Sequence, residues 1–362
     1  MGIVLSNFFS EVLFGEESLA HLGKLLFDRH SDSKKFILVD SNTRKFCLPV
    51  LVKLLPKNIN FTIIEINSGE ENKNLKSCEI IWETLTAEGI DKHSVIINLG
   101  GGMIGDLGGF SAATILRGVK HIQIPTSLLA MVDASSGGKT GINFAGLKNQ
   151  VGIFSHPSAI CIYPGFLETL PERDFNSGLA EVAKHALIAD TALWKVFSGK
   201  NQFSANELSH FIKRSIEIKS SYVTLDEKDL KERHALNFGH TIGHAIEAFS
   251  LANHKEPIMH GEAVAFGMIA ETYLSELVVG LSREQVEEVV NCLAGRYKYL
   301  YPDFDSSQLM GFIRLDKKNR NSVPDFTLIP AIGSVLINQQ ASDENIDQAI
   351  RKTKLLFSNS VI

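Results

Sequence analysis

The sequence predicts an α/β N-terminal domain of nucleotide-binding type, with a mostly parallel sheet, followed by an all-helical C-terminal domain. Three observations carry that reading. The first half alternates short runs rich in Ile and Val with helical stretches, the strand-like runs stop near Leu170, and one of them leads through a glycine cluster into a helix. Alternating strand and helix builds a parallel sheet covered on both faces. At 362 residues the chain is too long for one typical core, which places the domains at 1–170 and 171–362.

In order, KFILVD (35–40), FTIIEI (61–66), SVIINL (94–99), KHIQIP (120–125) and SAICIY (158–163) read as strands, with LKSCEIIWETLTAEG and LGGFSAATILRG as helices among them. The second half gives amphipathic helices in DFNSGLAEVAKHALIAD, ANELSHFIKRSIEIKSSYV, ERHALNFGHTIGHAIEAF, HGEAVAFGMIAETYLSELV and SREQVEEVVNCLAG. DFTLIP and GSVLINQ suit a small hairpin around AIG, before a last helix near 343–357. No repeat or low-complexity segment interrupts the pattern.

Composition narrows the class. The chain is 44% hydrophobic and 21% charged, as globular proteins are, and no apolar run is long enough to span a bilayer. Its start, MGIVLSNFFSEVLFGEE, carries acids where a signal peptide needs bases. The four cysteines (Cys47, Cys78, Cys161, Cys292) form no CxxC pair, which points to a reduced, cytoplasmic protein away from membranes. A net charge of −5 gives no basis for nucleic-acid binding, so an anionic small substrate needs a local cluster of Lys and Arg.

Three motifs bear on chemistry. In SVIINLGGGMIGDLGGF, Gly100, Gly102 and Gly105 form G-x-G-x-x-G between strand and helix, where missing side chains let backbone N–H groups face a pyrophosphate. The plain alternative is a tight turn. The acid that usually follows about 20 residues on is missing from KHIQIPT, and Asp40 in LVDSN offers a ribose ligand instead. MVDASSGGKTGINFAGLKN reads as a polar loop. Its Gly137–Thr140 resemble the tail of a P-loop, but the first glycine is absent from Met131–Asp133, so a Walker A motif fails. Lys139, Lys148 and Asn149 are left as phosphate or sugar ligands, against a merely solvated loop. The third motif is a scatter of metal-ligand types. Glu181, Lys184 and His185 share one helix face, His240 and His244 share another, and His260 opens a third helix with Glu262 two residues on. An acid with two or three histidines on three helices suits Zn²⁺ with an open position, although spacing alone does not say which histidine binds. Arg233 and Asn237 fall on the stripe of His240 and His244 and suit an oxyanion, while Lys219 ends the helix before the acidic run of Asp226, Glu227 and Lys228, which reads as surface ion pairing.

Assembled, these pieces resemble the 3-dehydroquinate synthase family from Asp40 to about Lys318. The carriers are SGEENK, GGGMIGD, RGV, IPTSLLAMVD, GGKTG, LPERDF, GLAEVAK, ALNFGHTIGHAIE and HGEAVAFGM, in one order. The resemblance implies Glu181, His240 and His260 as ligands of Zn²⁺ or Co²⁺, with His244 facing substrate. It implies NAD contacts at Asp40, Asn42, Glu70, Lys73, Gly102, Gly105, Asp106, Thr126, Ser127, Lys139, Lys148 and the stretch from Phe166 to Thr169. Substrate contacts carry over onto Asp133, Lys139, Asn149, Lys184, Lys219, Arg233, Asn237 and His244. Arg117 is implied to reach the phosphate held by a neighbouring subunit, hence a homodimer, with Lys317 or Lys318 as a further phosphate ligand.

The implied reaction converts 3-deoxy-D-arabino-heptulosonate 7-phosphate into 3-dehydroquinate and phosphate, on the shikimate route to aromatic amino acids. NAD⁺ takes hydride from the C5 hydroxyl, with the metal as Lewis acid, phosphate leaves from C7, the hydride returns, and an internal aldol step closes the ring. Ser127, Ala134, Leu147, His185 and Asp229 depart from the family's usual residues without removing a ligand or a core charge. The alternatives are another sugar-phosphate cyclase, against which Arg233, Asn237 and His244 stand, or a metal-dependent NAD polyol dehydrogenase, which needs no lysine-rich phosphate pocket.

Overall fold

A computed structural model describes residues 3–6, 9–57, 59–297, 304–314 and 324–358. Two compact units emerge, Met1–Phe175 and Asn176–Ile362. Lys317 and Lys318 lie outside the described residues.

The first unit holds strands β1 (Ile3–Ser6), β2 (Glu11–Phe14), β3 (Lys35–Asp40), β4 (Thr62–Ile66), β5 (Val95–Gly100), β6 (Lys120–Pro125), β7 (Lys139–Phe144), β8 (Leu147–Phe154) and β9 (Ala159–Ile162). Its helices are α1 (Ser18–His30), α2 (Ser41–Phe46), α3 (Leu48–Leu54), α4 (Leu75–Ala87) and α5 (Gly102–Thr114). Seven strands form one sheet in the order β1-β2-β9-β6-β5-β3-β4, parallel throughout except that β1 runs against β2. β3 and β5 are buried along their whole length, which is why they read as unbroken apolar runs. Phe36, Leu38, Ile96 and Leu107 join the core between sheet and helices.

From β3 the chain steps outward to β4, then returns to the other side of β3 with β5. That reversal puts the carboxyl ends of β3 and β5 at a switch point, the crevice where open α/β sheets take ligands. Asp40 ends one strand and the glycine turn ends the other.

The expected polar loop at 131–149 needs correction. Most of it is a hairpin, β7 against β8, closed by Ala145 (φ 50°) and Gly146 (φ 78°), a two-residue turn with positive φ at both positions. Gly141 and Gly152 face each other, and a Cβ on Gly141 would lie 2.7 Å from the Val151 carbonyl. Lys139 and Lys148 therefore stand on strands, and Leu147 pairs with Phe144. The strands β1 and β2, four residues each, also went unread.

His121 on β6 is buried, and its Nε2 has no hydrogen-bond partner among the described residues. Burial, and then the nearby His156, push its pKa down from 6.5 to about 4. The folded state keeps this ring neutral, whereas the unfolded chain protonates it below about pH 6.5. Its contribution to stability is present above pH 6.5 and is lost as pH falls towards 4, by about 3 kcal/mol. Urea unfolding from pH 7 to 4 should show His121→Leu losing less stability than wild type, and parallel curves would refute the assignment.

The second unit is built from α6 (Glu172–Ala189), α7 (Thr191–Ser198), α8 (Ala205–Leu225), α9 (His240–Asn253), α10 (His260–Val279), α11 (Arg283–Arg296), α12 (Ser306–Arg314) and α13 (Asp343–Ser358), with the hairpin β10 (Phe326–Ala331) and β11 (Ser334–Gln339). No helix among the described residues is long and apolar enough to cross a membrane.

Here the expected continuous helix from Glu232 to Phe249 breaks. Glu232–Asn237 is a 3₁₀ turn, and Gly239 sits at φ 78° before α9 begins. Gly239 N–H donates to Glu271 Oε2 at 2.6 Å and Ile242 N–H to Glu271 Oε1 at 3.1 Å, so a fully buried carboxylate of α10 caps the first turn of α9. Arg233 and Asn237 consequently do not share the stripe of His240 and His244.

Candidate active site

Three elements of the second unit converge. α6 supplies Glu181, the first residue of α9 supplies His240, and the first residue of α10 supplies His260. Their ligand atoms all lie within 4.8 Å of one another. Glu181 is fully buried, and its Oε1 lies 3.6 Å from His240 Nε2 and 3.5 Å from His260 Nε2. Neither approach is a good hydrogen bond, and Oε1 has no hydrogen-bond partner among the described residues. A buried carboxylate oxygen without a proton donor costs several kcal/mol unless a cation takes its place.

The imidazoles are turned correctly for that cation. His240 Nδ1 lies 3.1 Å from the Phe238 carbonyl, and His260 Nδ1 lies 3.2 Å from Glu247 Oε2. In the ligating form each ring keeps its proton on Nδ1 and aims the Nε2 lone pair at Glu181 Oε1. One carboxylate and two imidazoles suit Zn²⁺ or Co²⁺ with coordination positions left open. His260 is 30% exposed at its side chain, so the cluster opens towards solvent on that side.

Charge in the cluster is finely divided. Burial opposes ionisation of Glu181, but the ammonium of Lys184, in contact with its Oε2, and the two imidazoles outweigh that and hold the carboxyl well below its ordinary range. Burial and then Lys184 hold His240 well below 6.5, in its neutral ligating form. Burial pulls His260 down as well, yet Glu247 and Glu181 raise it to about 10.

Around this centre, His244 places its ring 5.2 Å from that of His240 and 6.1 Å from that of His260. Lys219 on α8 and Arg233 are buried. The acidic run after α8 is a scaffold, contrary to the surface ion pairing expected of it. The Asp226 carboxylate accepts the backbone N–H groups of Leu230, Lys231 and Arg233, and Arg233 Nη1 donates to the Glu227 carbonyl at 2.9 Å. The Glu227–Lys228 pair, 3.7 Å apart and exposed, matches the expectation. Glu262 accepts the Met259 N–H at 2.8 Å and caps α10.

In the first unit, α5 begins directly after the glycine turn, with Gly101 as its N-cap. Buried Lys73 donates to Asp106 Oδ2 and to Asn149 Oδ1, both at 2.5 Å. Asn143, which the sequence did not single out, ties that group to the hairpin, donating to Glu70 Oε1 at 3.0 Å and accepting the Asn149 N–H at 2.9 Å. Asp40 Oδ1 is occupied as the cap of α2, accepting the N–H groups of Asn42 and Thr43. Thr126 and Ser127 follow β6, and Thr126 N–H donates to the Gly100 carbonyl. Asp133 lies in a short π turn, Ala130–Ala134. Lys139, Lys148 and Asn149 (φ 49°) are exposed. The Phe166 side chain is buried against Tyr163, while Thr169 is exposed. Arg117 is exposed at φ 61° beside Leu116 at φ 51°.

Comparison with known proteins gives the family and the fold. The family model described as 3-dehydroquinate synthase N-terminal matches residues 63–177, and the one described as 3-dehydroquinate synthase C-terminal matches residues 178–319. The 3-dehydroquinate synthase of Parabacteroides distasonis is 41% identical over 320 residues, covering 88% of this chain and 90% of that one. The 3-dehydroquinate synthase of Clostridium acetobutylicum is 38% identical, covering 89% and 91%. In fold the chain is similar to 2-deoxy-scyllo-inosose synthase solved with carbaglucose-6-phosphate, NAD⁺ and Co²⁺, at a TM-score of 0.85 and 24% identity over 95% of this chain and 96% of that one.

Proposed function

This chain belongs to the 3-dehydroquinate synthase family, and from that premise we infer that it converts 3-deoxy-D-arabino-heptulosonate 7-phosphate into 3-dehydroquinate and phosphate, with NAD and a divalent metal. The carrying observation is the buried Glu181 Oε1, which lacks a hydrogen-bond donor and faces two imidazole nitrogens. When bound, NAD⁺ and the metal supply a transient hydride acceptor and a Lewis acid at the C5 hydroxyl.

The chain's own groups do the rest. Residues 1–170 are assigned to the nucleotide, where the glycine turn opens α5 beside Asp40, Lys73 and Asp106. Residues 171–362 are assigned to metal and substrate. Glu181, His240 and His260 hold the metal. Lys184, Lys219 and Arg233 neutralise the anionic substrate, and burial strengthens each of those charges. Arg233 is the residue best suited to a carboxylate, because its guanidinium is already oriented by the Glu227 carbonyl. Asn237 orients hydroxyls, and His244 orients them and moves protons. The leaving phosphate accepts the C6 proton itself, so no strong base is required of the protein. Lys139, Lys148 and Asn149 serve as ligands for phosphate and hydroxyl oxygens. We assign the active form to a cytoplasmic homodimer in which Arg117 serves a neighbouring subunit, a reading supported by free cysteines and by the exposure of Arg117.

The deciding experiment incubates the protein with the heptulosonate phosphate, catalytic NAD⁺ and Zn²⁺ and follows phosphate and NADH together. Phosphate released in proportion to substrate, without lasting NADH, is the expected result. NADH accumulating from polyols without phosphate release would move the chain to the dehydrogenases. His244→Ala should keep its metal, measured after gel filtration, while turnover falls about 10²- to 10⁴-fold, as loss of a positioned proton-transfer group does. Loss of metal in that variant would mean His244 is itself a ligand.

A further inference from the structure

We propose that Glu247 is a positioning residue of the metal centre, whose carboxylate holds the Nδ1–H of His260 and so directs that ring's Nε2 at Glu181. The proposal rests on the assignment of Glu181, His240 and His260 as metal ligands. Glu247 is 5% exposed and sits on α9 seven residues after His240, so His240, His244 and Glu247 follow one another at i, i+4 and i+7 on a single stripe. His260 comes from a different helix and lies at its very first position, where the preceding turn of helix that would restrain the ring is missing. Its side chain is 30% exposed, so packing does not fix the ring either. The Glu247 Oε2 contact at 3.2 Å supplies that restraint.

The two histidine ligands are thus held by different groups. A neutral backbone carbonyl faces His240 Nδ1, and a carboxylate faces His260 Nδ1. A carboxylate acceptor makes the opposite nitrogen a stronger donor to the metal than a carbonyl does. It also adds a second buried negative charge beside Glu181, in a cluster that otherwise contains the ammonium of Lys184. Glu247 therefore makes the centre more hospitable to a divalent cation through both geometry and charge, without touching substrate.

The test titrates Zn²⁺ and Co²⁺ into the full-length protein against a competing chelator, and records the visible Co²⁺ bands. Glu247→Ala should weaken metal binding about 10- to 100-fold, and Glu247→Gln, which keeps the shape and loses the charge, about tenfold. Both should shift the Co²⁺ bands, and Glu247→Asp should recover part of the affinity. Should the alanine variant fold poorly by circular dichroism, the isosteric glutamine variant decides. Affinity and bands equal to wild type in Glu247→Gln and Glu247→Ala would overturn the proposal. So would loss of metal in Glu247→Gln as complete as in His260→Ala, which would make Glu247 a direct ligand. Wild type that binds no metal would instead sink the ligand assignment on which the proposal rests.

Discussion

His260→Ala should purify without stoichiometric zinc and turn over at least about a thousandfold more slowly, with the fold intact. Removing one of three protein ligands from a site with open positions leaves a carboxylate and one imidazole, too few to retain the ion through gel filtration. A metal acting as Lewis acid contributes several kcal/mol to the barrier, and each 1.36 kcal/mol is tenfold in rate. The fold should persist because this ring is part-exposed and its loss opens no apolar cavity. The checks are metal content by mass spectrometry, phosphate release, and far-UV circular dichroism. Retained zinc with retained turnover would refute the ligand set, and unfolding would mean that the histidine has a structural role instead. The contrast with His244→Ala separates two neighbours on one wall, since one should lose the metal and the other only the rate.

The legible parts of the sequence were those where one local pattern decides the outcome. β3, β5 and β6 are buried strands, so KFILVD, SVIINL and KHIQIP spell themselves out. The hairpin of β7 and β8 did not, because β8 is almost wholly exposed and glycines interrupt both strands, leaving no apolar alternation to read. The helix expected across 232–249 failed over its first third, where Glu232–Asn237 is a 3₁₀ turn and Phe238 and Gly239 leave helical geometry. Gly239 carries a positive φ that a periodicity count ignores, and the Glu271 carboxylate that makes the break affordable lies 32 residues away. The donor types of the metal cluster were visible as types, and their choice came from resemblance to a family. Their restraints were harder to see. Glu247 was within reach as the i+7 neighbour of His240, whereas Asn143 and Glu271 gain meaning only through contacts with other elements. Local patterns announce elements, while the groups that aim side chains are chosen by tertiary pairing.

That lesson makes Gly267→Ala the sharpest test of how the centre is held together. Helix propensity alone says the change should help, because alanine is about 1 kcal/mol better than glycine inside a helix. The packing says the reverse. A Cβ on Gly267 would lie 1.9 Å from the Gly239 carbonyl oxygen and 2.7 Å from the Gly243 nitrogen, both backbone atoms that no rotamer change can move aside. Gly243 is close as well, with its own Cβ position 3.0 Å from the Ala263 carbonyl, so α9 and α10 meet backbone to backbone. Glu271, one turn beyond Gly267, accepts the N–H groups of Gly239 and Ile242 and fixes the start of α9 at that spacing. Forcing the helices apart costs roughly 3 kcal/mol, the upper part of the usual range for overpacking, and exceeds the propensity gain. It should also separate His240 from His260, which begin the two helices, and weaken Zn²⁺ binding along with stability. Gly311 on α12 supplies the comparison, since a Cβ there meets nothing within 4 Å. Gly311→Ala should raise the unfolding free energy by about 0.5–1 kcal/mol and leave metal affinity unchanged. Urea unfolding and chelator competition on the two variants should therefore move in opposite directions for stability, and in only one of them for the metal. If the two alanines behave alike, the backbone contact between α9 and α10 is not what sets the distance between these ligands.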